Sequence, residues 1–413
     1  MRILLVSQYF WPESFIINDL VSTLSSQGHT VHVLTGKPNY PDGQIFPGYT
    51  SSGVMTESFD DTVPIFRVPL RPRLKGGASN LFLNYMSFVF SGLFHFSRLV
   101  KNQKYDVIFV FAISPITQAI PAIYLKWKLK SHLAIWVQDM WPESLSATGF
   151  IRNPFMLKMI GYMVRGIYSC TDTLLIQSRA FYEPVSCYAD SDKIKYYPNS
   201  ILLKKQSTSF ALPLELAEIL QNNFCIVFAG NIGKAQAVET ILEAAHSLKD
   251  MQNVKFVFVG SGSMLDWVCS TKDELELSNV LVAGRFPMDV MPLIYRKSSA
   301  LLVSLKDEEI FSKTVPSKIQ AYLAAGKPII ASLNGEGARV VAEARAGLTC
   351  KAEDAESLVQ CVRNIYAMSD SDRSCMGKAG YAYFLENFEM NKQAQSLIKL
   401  LEQRIEKTQR SGL

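Results

Sequence analysis

The 413-residue sequence has no Cys-x-x-Cys pair, although it contains seven cysteines. They are scattered and odd in number, and several lie in apolar runs, as Cys225 does between Phe224 and Phe228. That argues against a disulfide framework or a thiolate metal site and fits the reduced, packed thiols of a cytosolic protein. The five histidines show no metal spacing. Charge is sparse, 19% of residues against 48% apolar, which excludes a disordered chain. The net charge of +5 falls well short of a nucleic-acid-binding composition and suits an anionic membrane surface or a phosphorylated substrate. No clean apolar run of about 18 residues occurs, so no transmembrane helix is expected. The nearest approach, 81–96, is interrupted by Asn84, Ser87, Ser91, Gly92 and His95. Residues 1–6 open a strand with no long apolar core behind them, unlike a secretory leader. Neither half carries a Gly-x-Gly-x-x-Gly fingerprint, which disfavours a nicotinamide oxidoreductase.

What is present points to an α/β chain of two domains, or three by length. Residues 2–7 read as a buried parallel strand. Ile17, Leu20, Val21 and Leu24 mark one helical face, Gly28 ends that helix, and 30–35 is a second strand. This β-α-β unit opens a Rossmann-like domain. Its loop, 8–14, brings Tyr9, Phe10, Trp11 and Glu13 to the carboxyl ends of the strands, where open α/β sheets place ligands; equally, the aromatics can pack under the loop. Residues 36–43 are a turn cluster, and 62–68 a strand near an edge because Pro64 lacks a donor. Arg67, Arg71, Arg73 and Lys75 precede the aromatic segment 81–96, which reads either as an interfacial helix with basic neighbours or as a core helix behind solvated charges. Strands follow at 105–111, 133–137, 173–178 and 193–199, with helices at 116–130 and 156–168. Asp139 and Glu143 lie just past the end of a strand. A carboxylate there can accept a proton from an attacking hydroxyl or hydrogen-bond a sugar, whereas Asp139 can also simply cap the next turn. Trp136 and Trp141 offer flat faces to a sugar ring or pack in the core. The ill-patterned stretch 204–213 is placed as the linker.

The second half repeats one device three times: strand 224–229 with Gly230 and Gly233, strand 255–259 with Gly260 and Gly262, and strand 280–282 with Gly284 and Arg285. Glycines at such turns let backbone amides approach a ligand. A further strand, 300–304, leads to the stretch around which the chain is organised, 315–331. Pro316 suits a first helical turn, and Ser317 and Lys318 lie beside unpaired backbone donors. Ile319, Tyr322, Leu323 and Ala325 suit a buried face, Gly326 stops the helix, and Pro328 precedes a short strand. A helix N-terminus with a lysine attracts phosphate, although ordinary surface helices in α/β domains look the same.

Pro-Ser-Lys, Ala-Ala-Gly-Lys-Pro, Gly-Glu-Gly from Gly335 and Glu-Ala-Arg-Ala-Gly from Glu343 together resemble the donor half of the retaining glycosyltransferase family 4. Within that family the chain is most similar to L-fucosamine transferases of bacterial O-antigen and capsule synthesis and to colanic-acid transferases, over nearly its whole length. The turn 36–43 resembles the family's Pro-x-Tyr-Pro-x-Gly segment. The resemblance implies the GT-B arrangement, two Rossmann-like domains facing across a cleft. Residues 1–203 would take the acceptor and 204–388 the donor, and 389–413 would form a helix crossing back to the first domain. It implies a donor site made of Gly230, Asn231, Gly233, Gln236, Gly260, Gly262, Arg285, Pro316, Ser317, Lys318 and Gln320. The acceptor would meet Trp11, Glu13, Trp141 and Glu143.

Departures from the family pattern are specific. Asn231 and Gln236 stand where the family has an arginine and a lysine on the donor diphosphate. Two family glutamates spaced eight apart, the second five before the glycine of Gly-x-Pro, correspond here to Lys313 and Ala321. Glu308, Glu309 or Gln320 are candidate substitutes, and Lys313 can contact the donor itself. The expected activity is retaining transfer of a sugar, N-acetyl-L-fucosamine by resemblance, from a UDP-sugar to a lipid-linked saccharide acceptor. Asp139 and Lys313 are the catalytic candidates, and the enzyme would be cytoplasmic and peripheral on the anionic inner face of the plasma membrane. No Asp-x-Asp is read in the chain, so no metal-bound diphosphate and no cofactor are implied. A UDP-sugar epimerase of the same fold and a non-catalytic nucleotide-sugar-binding subunit are the alternatives.

Overall fold

The computed structural model describes residues 1–74, 77–147, 151–203 and 212–411. Lys75 and the linker residues 204–211 lie outside that set. The chain divides into two compact units, Met1–Ser200 with Met390–Leu413, and Ile201–Glu389.

The first unit is built on a sheet ordered β3-β4-β2-β1-β5-β6-β7-β8. Its strands are β1 (Arg2–Val6), β2 (Thr30–Thr35), β3 (Met55–Phe59), β4 (Val63–Arg67), β5 (Val107–Ala112), β6 (His132–Val137), β7 (Thr173–Ile176) and β8 (Ile194–Tyr196). All pair in parallel except β3 with β4. Strands β5, β6 and β7 are buried throughout, as continuous apolar runs covered on both faces must be. The helices are α1 (Ile16–Ser26), α2 (Ala78–Leu99), α3 (Ala119–Leu129), α4 (Glu143–Ala147), α5 (Pro154–Ser169) and α6 (Tyr182–Ser186). The strand order reverses direction between β1 and β5, which makes their carboxyl ends the ligand-binding edge of such a sheet.

One sequence expectation changes here. The strand holding Pro64 does lie near the edge, with β3, unread in the sequence, as its one neighbour on the outer side. Pro64 precedes the first pairing with the inner strand, Val33 with Ile65, so its missing N–H breaks no inner ladder bond. Arg67, however, is not a surface cation. It is buried, ion-paired to Glu57 of β3, and it donates to the Gly36 and Trp11 carbonyls.

The second unit has six parallel strands: β9 (Phe224–Asn231), β10 (Val254–Ser261), β11 (Val280–Gly284), β12 (Ala300–Ser304), β13 (Ile329–Ser332) and β14 (Gly347–Cys350). They are ordered β11-β10-β9-β12-β13-β14, the doubly wound pattern of a dinucleotide-binding sheet. Alternate residues of β9 serve different cores. Cys225, Val227 and Ala229 pack on one side, Ile226 and Phe228 on the other, because successive side chains point to opposite faces. The helices are α7 (Leu214–Asn222), α8 (Val238–Ser247), α9 (Leu265–Glu274), α10 (Met291–Lys297), α11 (Glu309–Ser312), α12 (Ser317–Ala325), α13 (Glu336–Glu343), α14 (Ala355–Ala367) and α15 (Asp370–Asn387).

The last helix, α16 (Met390–Ser411), belongs to the first unit. Its spacing of three and four buries Ala394, Leu397, Ile398 and Leu401, and Arg404 donates to the Asp172 carbonyl at 3.1 Å and to Thr173 Oγ1 at 3.2 Å. Among the described residues no helix is long and apolar enough to cross a membrane.

Candidate functional site

In the second unit the reversal of strand order falls between β9 and β12, and a cavity of about 710 Å³ opens there at the strands' carboxyl ends. Its walls come from four strand ends and one helix start: Gly230 and Asn231, Gly260 and Ser261, Arg285, Ser304, and Pro316 through Lys318 with Ala321. Helix α12 ends as expected, on Gly326 in the left-handed region at φ 65°. It starts one residue later than expected, with Pro316 as its extended N-cap. Tyr322 fixes the helix to β9, its hydroxyl accepting from Ala229 N at 3.1 Å. Lys318 and Ala321 then share the face turned to the cavity, three residues apart.

Lys318 is the electrostatic centre. Its Nζ lies 3.7 Å from the centre of the Phe228 ring, shielded from water and without a hydrogen-bond partner among the described residues. Burial lowers its pKa from 10.5 to about 7. Gly230, at φ 112°, makes room for it, since a Cβ there would lie 3.0 Å from Lys318 Cε. Arg285 is exposed at the rim. No lining residue is acidic, so the wall carries two cations and no carboxylate.

The other predicted donor residues separate. Gln236 lines the cavity, and its Oε1 accepts from Asn231 Nδ2 and Gly233 N, both at 3.1 Å. Gly233 and Gly262 are not on the wall; they let neighbouring loops touch. A Cβ on Gly262 would sit 2.3 Å from the Ile232 carbonyl oxygen, and one on Gly233 would sit 2.7 Å from Asn231 Nδ2. Gln320 is buried and off the wall, because it projects from a different side of α12 than Lys318. Lys313 is off the wall too and pairs with Glu309 at 2.6 Å, one helical turn away. Glu308 and Glu309 are exposed and outside the cavity, whereas Ala321, at the second family glutamate position, does line it.

Two Asp-x-Asp triplets do occur, at 190–192 and 370–372, but both serve helix starts. Asp190 caps a short turn, Asp192 pairs with Lys407 at 2.8 Å, and Asp370 and Asp372 open α15. Neither lines the cavity.

At the carboxyl ends of the first sheet, Asp139 is half-buried and accepts from Ser114 Oγ, which in turn accepts from Trp141 Nε1 at 2.9 Å. Asp139 is thus oriented by Ser114. Trp141 is nearly buried, and Trp136 is a core residue whose Nε1 donates to the Tyr197 carbonyl at 3.0 Å, so neither offers a sugar platform. Trp11 does stay 37% exposed. Glu143 opens α4, with its Oε1 3.5 Å from the Tyr188 hydroxyl. Glu13 is not an open sugar ligand: it is buried, accepting from the backbone N–H of Phe10 (3.1 Å), Asn39 (2.8 Å) and Tyr40 (2.8 Å). It clasps loop 8–14 to turn 36–43, and burial raises its pKa to about 7.

Sequence reasoning missed the network behind this edge. Gln8 Nε2 donates to Asn84 Oδ1 at 2.7 Å, Asn84 Nδ2 donates to the Arg71 carbonyl at 2.6 Å, and Gln8 N donates to Gln118 Oε1 at 2.9 Å. Asn84, read as a break in an apolar run, is the buried polar group that ties α2 to these loops. The polar residue inside that run was the available signal.

The family described as glycosyl transferases group 1 matches residues 217–383. WbjE of Pseudomonas aeruginosa, named as a glycosyltransferase, is 23% identical over 74% of this chain and 75% of its own. WcaI of Escherichia coli K12, named as a colanic acid biosynthesis glycosyl transferase, is 23% identical over 79% of this chain and 82% of its own. Among solved structures, sucrose-phosphate synthase from Thermosynechococcus elongatus superposes with a TM-score of 0.73 at 15% identity, covering 97% of this chain and 98% of that one. HepE of Anabaena, in complex with UDP, does so with 0.65 at 13%, covering 98% and 100%. The fold is that of the GT-B glycosyltransferases. The second unit carries a group 1 glycosyltransferase domain, and the protein is a glycosyltransferase of the hexosyl-transferring type.

Proposed function

We propose that the cavity at the ends of β9–β12 binds the diphosphate of a UDP-sugar and that the sugar passes, with retention, to a lipid-linked saccharide in bacterial surface-polysaccharide synthesis. The observation that carries this reading is the acid-free wall holding a rim arginine and a buried lysine with no hydrogen-bond partner among the described residues. A diphosphate supplies the negative charge that no lining residue offers Lys318, and the start of α12 adds backbone N–H groups. The same groups stabilise the charge that grows on the leaving diphosphate as the glycosidic bond breaks, so no metal is assigned to it. UDP in the HepE complex supports the choice of nucleotide. The colanic acid biosynthesis in the name of WcaI supports surface-polysaccharide synthesis, and O-antigen is the product favoured by motif resemblance. N-acetyl-L-fucosamine is the sugar favoured by motif resemblance. Asp139, oriented by Ser114, is the group we assign to the acceptor hydroxyl. A lipid-linked acceptor puts the enzyme at the inner face of the plasma membrane.

A thermal-shift screen of nucleotides and nucleotide sugars tests the donor, because a ligand that binds only the native state raises its melting temperature according to its affinity. UDP compounds should stabilise the protein, Lys318→Ala should remove most of that shift, and Asp139→Asn should cut transfer while sparing it. Unchanged calorimetric affinity for UDP in Lys318→Ala would count against the phosphate role.

A further inference from the structure

Three consecutive crossovers of the first sheet, β4 to β5, β5 to β6 and β6 to β7, step in one direction, so right-handed connection lays α2, α3 and α5 on the same face. They form one layer. Gly92 of α2 meets Pro121 of α3 so closely that a Cβ at 92 would lie 2.9 Å from the proline ring, and α3 packs against α5 in turn. The inner sides of these helices are buried core, but the outer side is apolar as well. Phe90 is 67% exposed, Trp127 65% and Phe155 71%, with Phe94, Met159 and Tyr162 also exposed. So many large apolar side chains on one layer exceed the scattered exposure normal for a monomer.

Charge selects the occupant. None of the three helices contains an aspartate or glutamate, while Arg98, Lys128 and Lys158 are exposed on them. The Arg98 guanidinium lies 4.5 Å from the centre of the Phe94 ring and the Lys128 ammonium 5.9 Å from that of Tyr124. Aromatic bodies beside cationic heads suit the boundary between acyl chains and anionic headgroups. A second copy meeting the same face about a two-fold axis would set like charges against each other.

We propose that the outer face of α2, α3 and α5 docks the enzyme on an anionic bilayer, with its exposed aromatic side chains in the interface. This rests on the lipid-linked acceptor argued above and specifies which surface meets the lipid.

The test is flotation of the full-length protein with phosphatidylcholine vesicles with and without phosphatidylglycerol. Wild type should float only with the anionic lipid, and less at high salt. Phe90→Ser, Trp127→Ser and Met159→Ser combined should reduce the floated fraction by about tenfold or more. The UDP-induced thermal shift should stay as in wild type, which confirms that the variant is folded. Equal flotation of the variant would overturn this surface while leaving membrane association standing. No flotation of wild type would overturn both, and light scattering that shows lipid-free dimers dispersed by the substitutions would assign the face to a second copy. Loss of the UDP shift in wild type would sink the donor reading without touching this one.

Discussion

Lys318 sits in the cavity with its ammonium over an aromatic ring and out of water. Its pKa falls from 10.5 to about 7 for that reason. A bound diphosphate restores an ordinary lysine pKa, so binding above pH 7 takes up a proton. The nucleotide complex then holds more protons than the free enzyme, and affinity falls as pH rises. Calorimetry should find UDP affinity falling between about pH 7 and 9, by up to about tenfold per pH unit. Lys318→Arg, always charged, should give a flat profile; a flat wild-type profile would refute the coupling. Folding of the nucleotide-free chain has the opposite dependence. Between about 7 and 10.5 the unfolded chain holds the extra proton, so this residue's contribution to stability rises with pH. Glu13 has the reverse sign. Its pKa is raised from 4.5 to about 7, so its contribution is full below 4.5 and is lost as pH rises through 7. Glu13→Gln would aim an amide N–H at backbone donors and should cost about 1–3 kcal/mol. Denaturation at fixed pH reads that loss, and a raised acceptor KM with unchanged stability would return Glu13 to the acceptor site.

At the scale of elements, the strand-then-glycine pattern was legible, but its main reason was not. Gly260 has φ 142°, and a Cβ on it would lie 1.9 Å from the Gly230 carbonyl oxygen. The two loops lie backbone against backbone, a relation between residues thirty apart that no local pattern encodes. Gly260→Ala should therefore lower the melting temperature and abolish the UDP-induced shift. Gly284→Ala, at φ 78° with nothing within 4 Å, should cost only the backbone strain, about 1 kcal/mol. Similar melting temperatures for the two variants would show that the loops can part. Helix α12 was readable from end to end because its stop signals are local. Which residues of it face the cavity depended on how it seats on β9, and that excluded Gln320.

At the scale of the molecule, α16 returns to the unit that the chain started with. Its apolar spacing identified a helix, and only resemblance suggested where it goes. Leu401 is fully buried there, and Leu401→Ala should destabilise the protein by about 2–5 kcal/mol, as removal of a buried leucine commonly does. Urea denaturation of the full chain measures this. A loss under about 0.5 kcal/mol, the size of a surface substitution, would mean the helix is only loosely attached. Strand β3 escaped notice because a short half-exposed edge strand has almost no apolar signal.

Trp-Pro-Glu-Ser occurs twice, after β1 and after β6. Position after a strand marked both copies as loops at the ligand-binding edge, and sequence alone carried that much, along with the two α/β units and the lysine-tipped helix. Sequence could not distinguish the copies. The first leaves Trp11 exposed and buries Glu13 on three backbone N–H groups; the second nearly buries Trp141 and sets Glu143 at a helix start. Periodicity and turn chemistry are local and written in the chain. Which polar group finds a partner, and which is left to meet a ligand, is decided by residues that only the tertiary structure brings together.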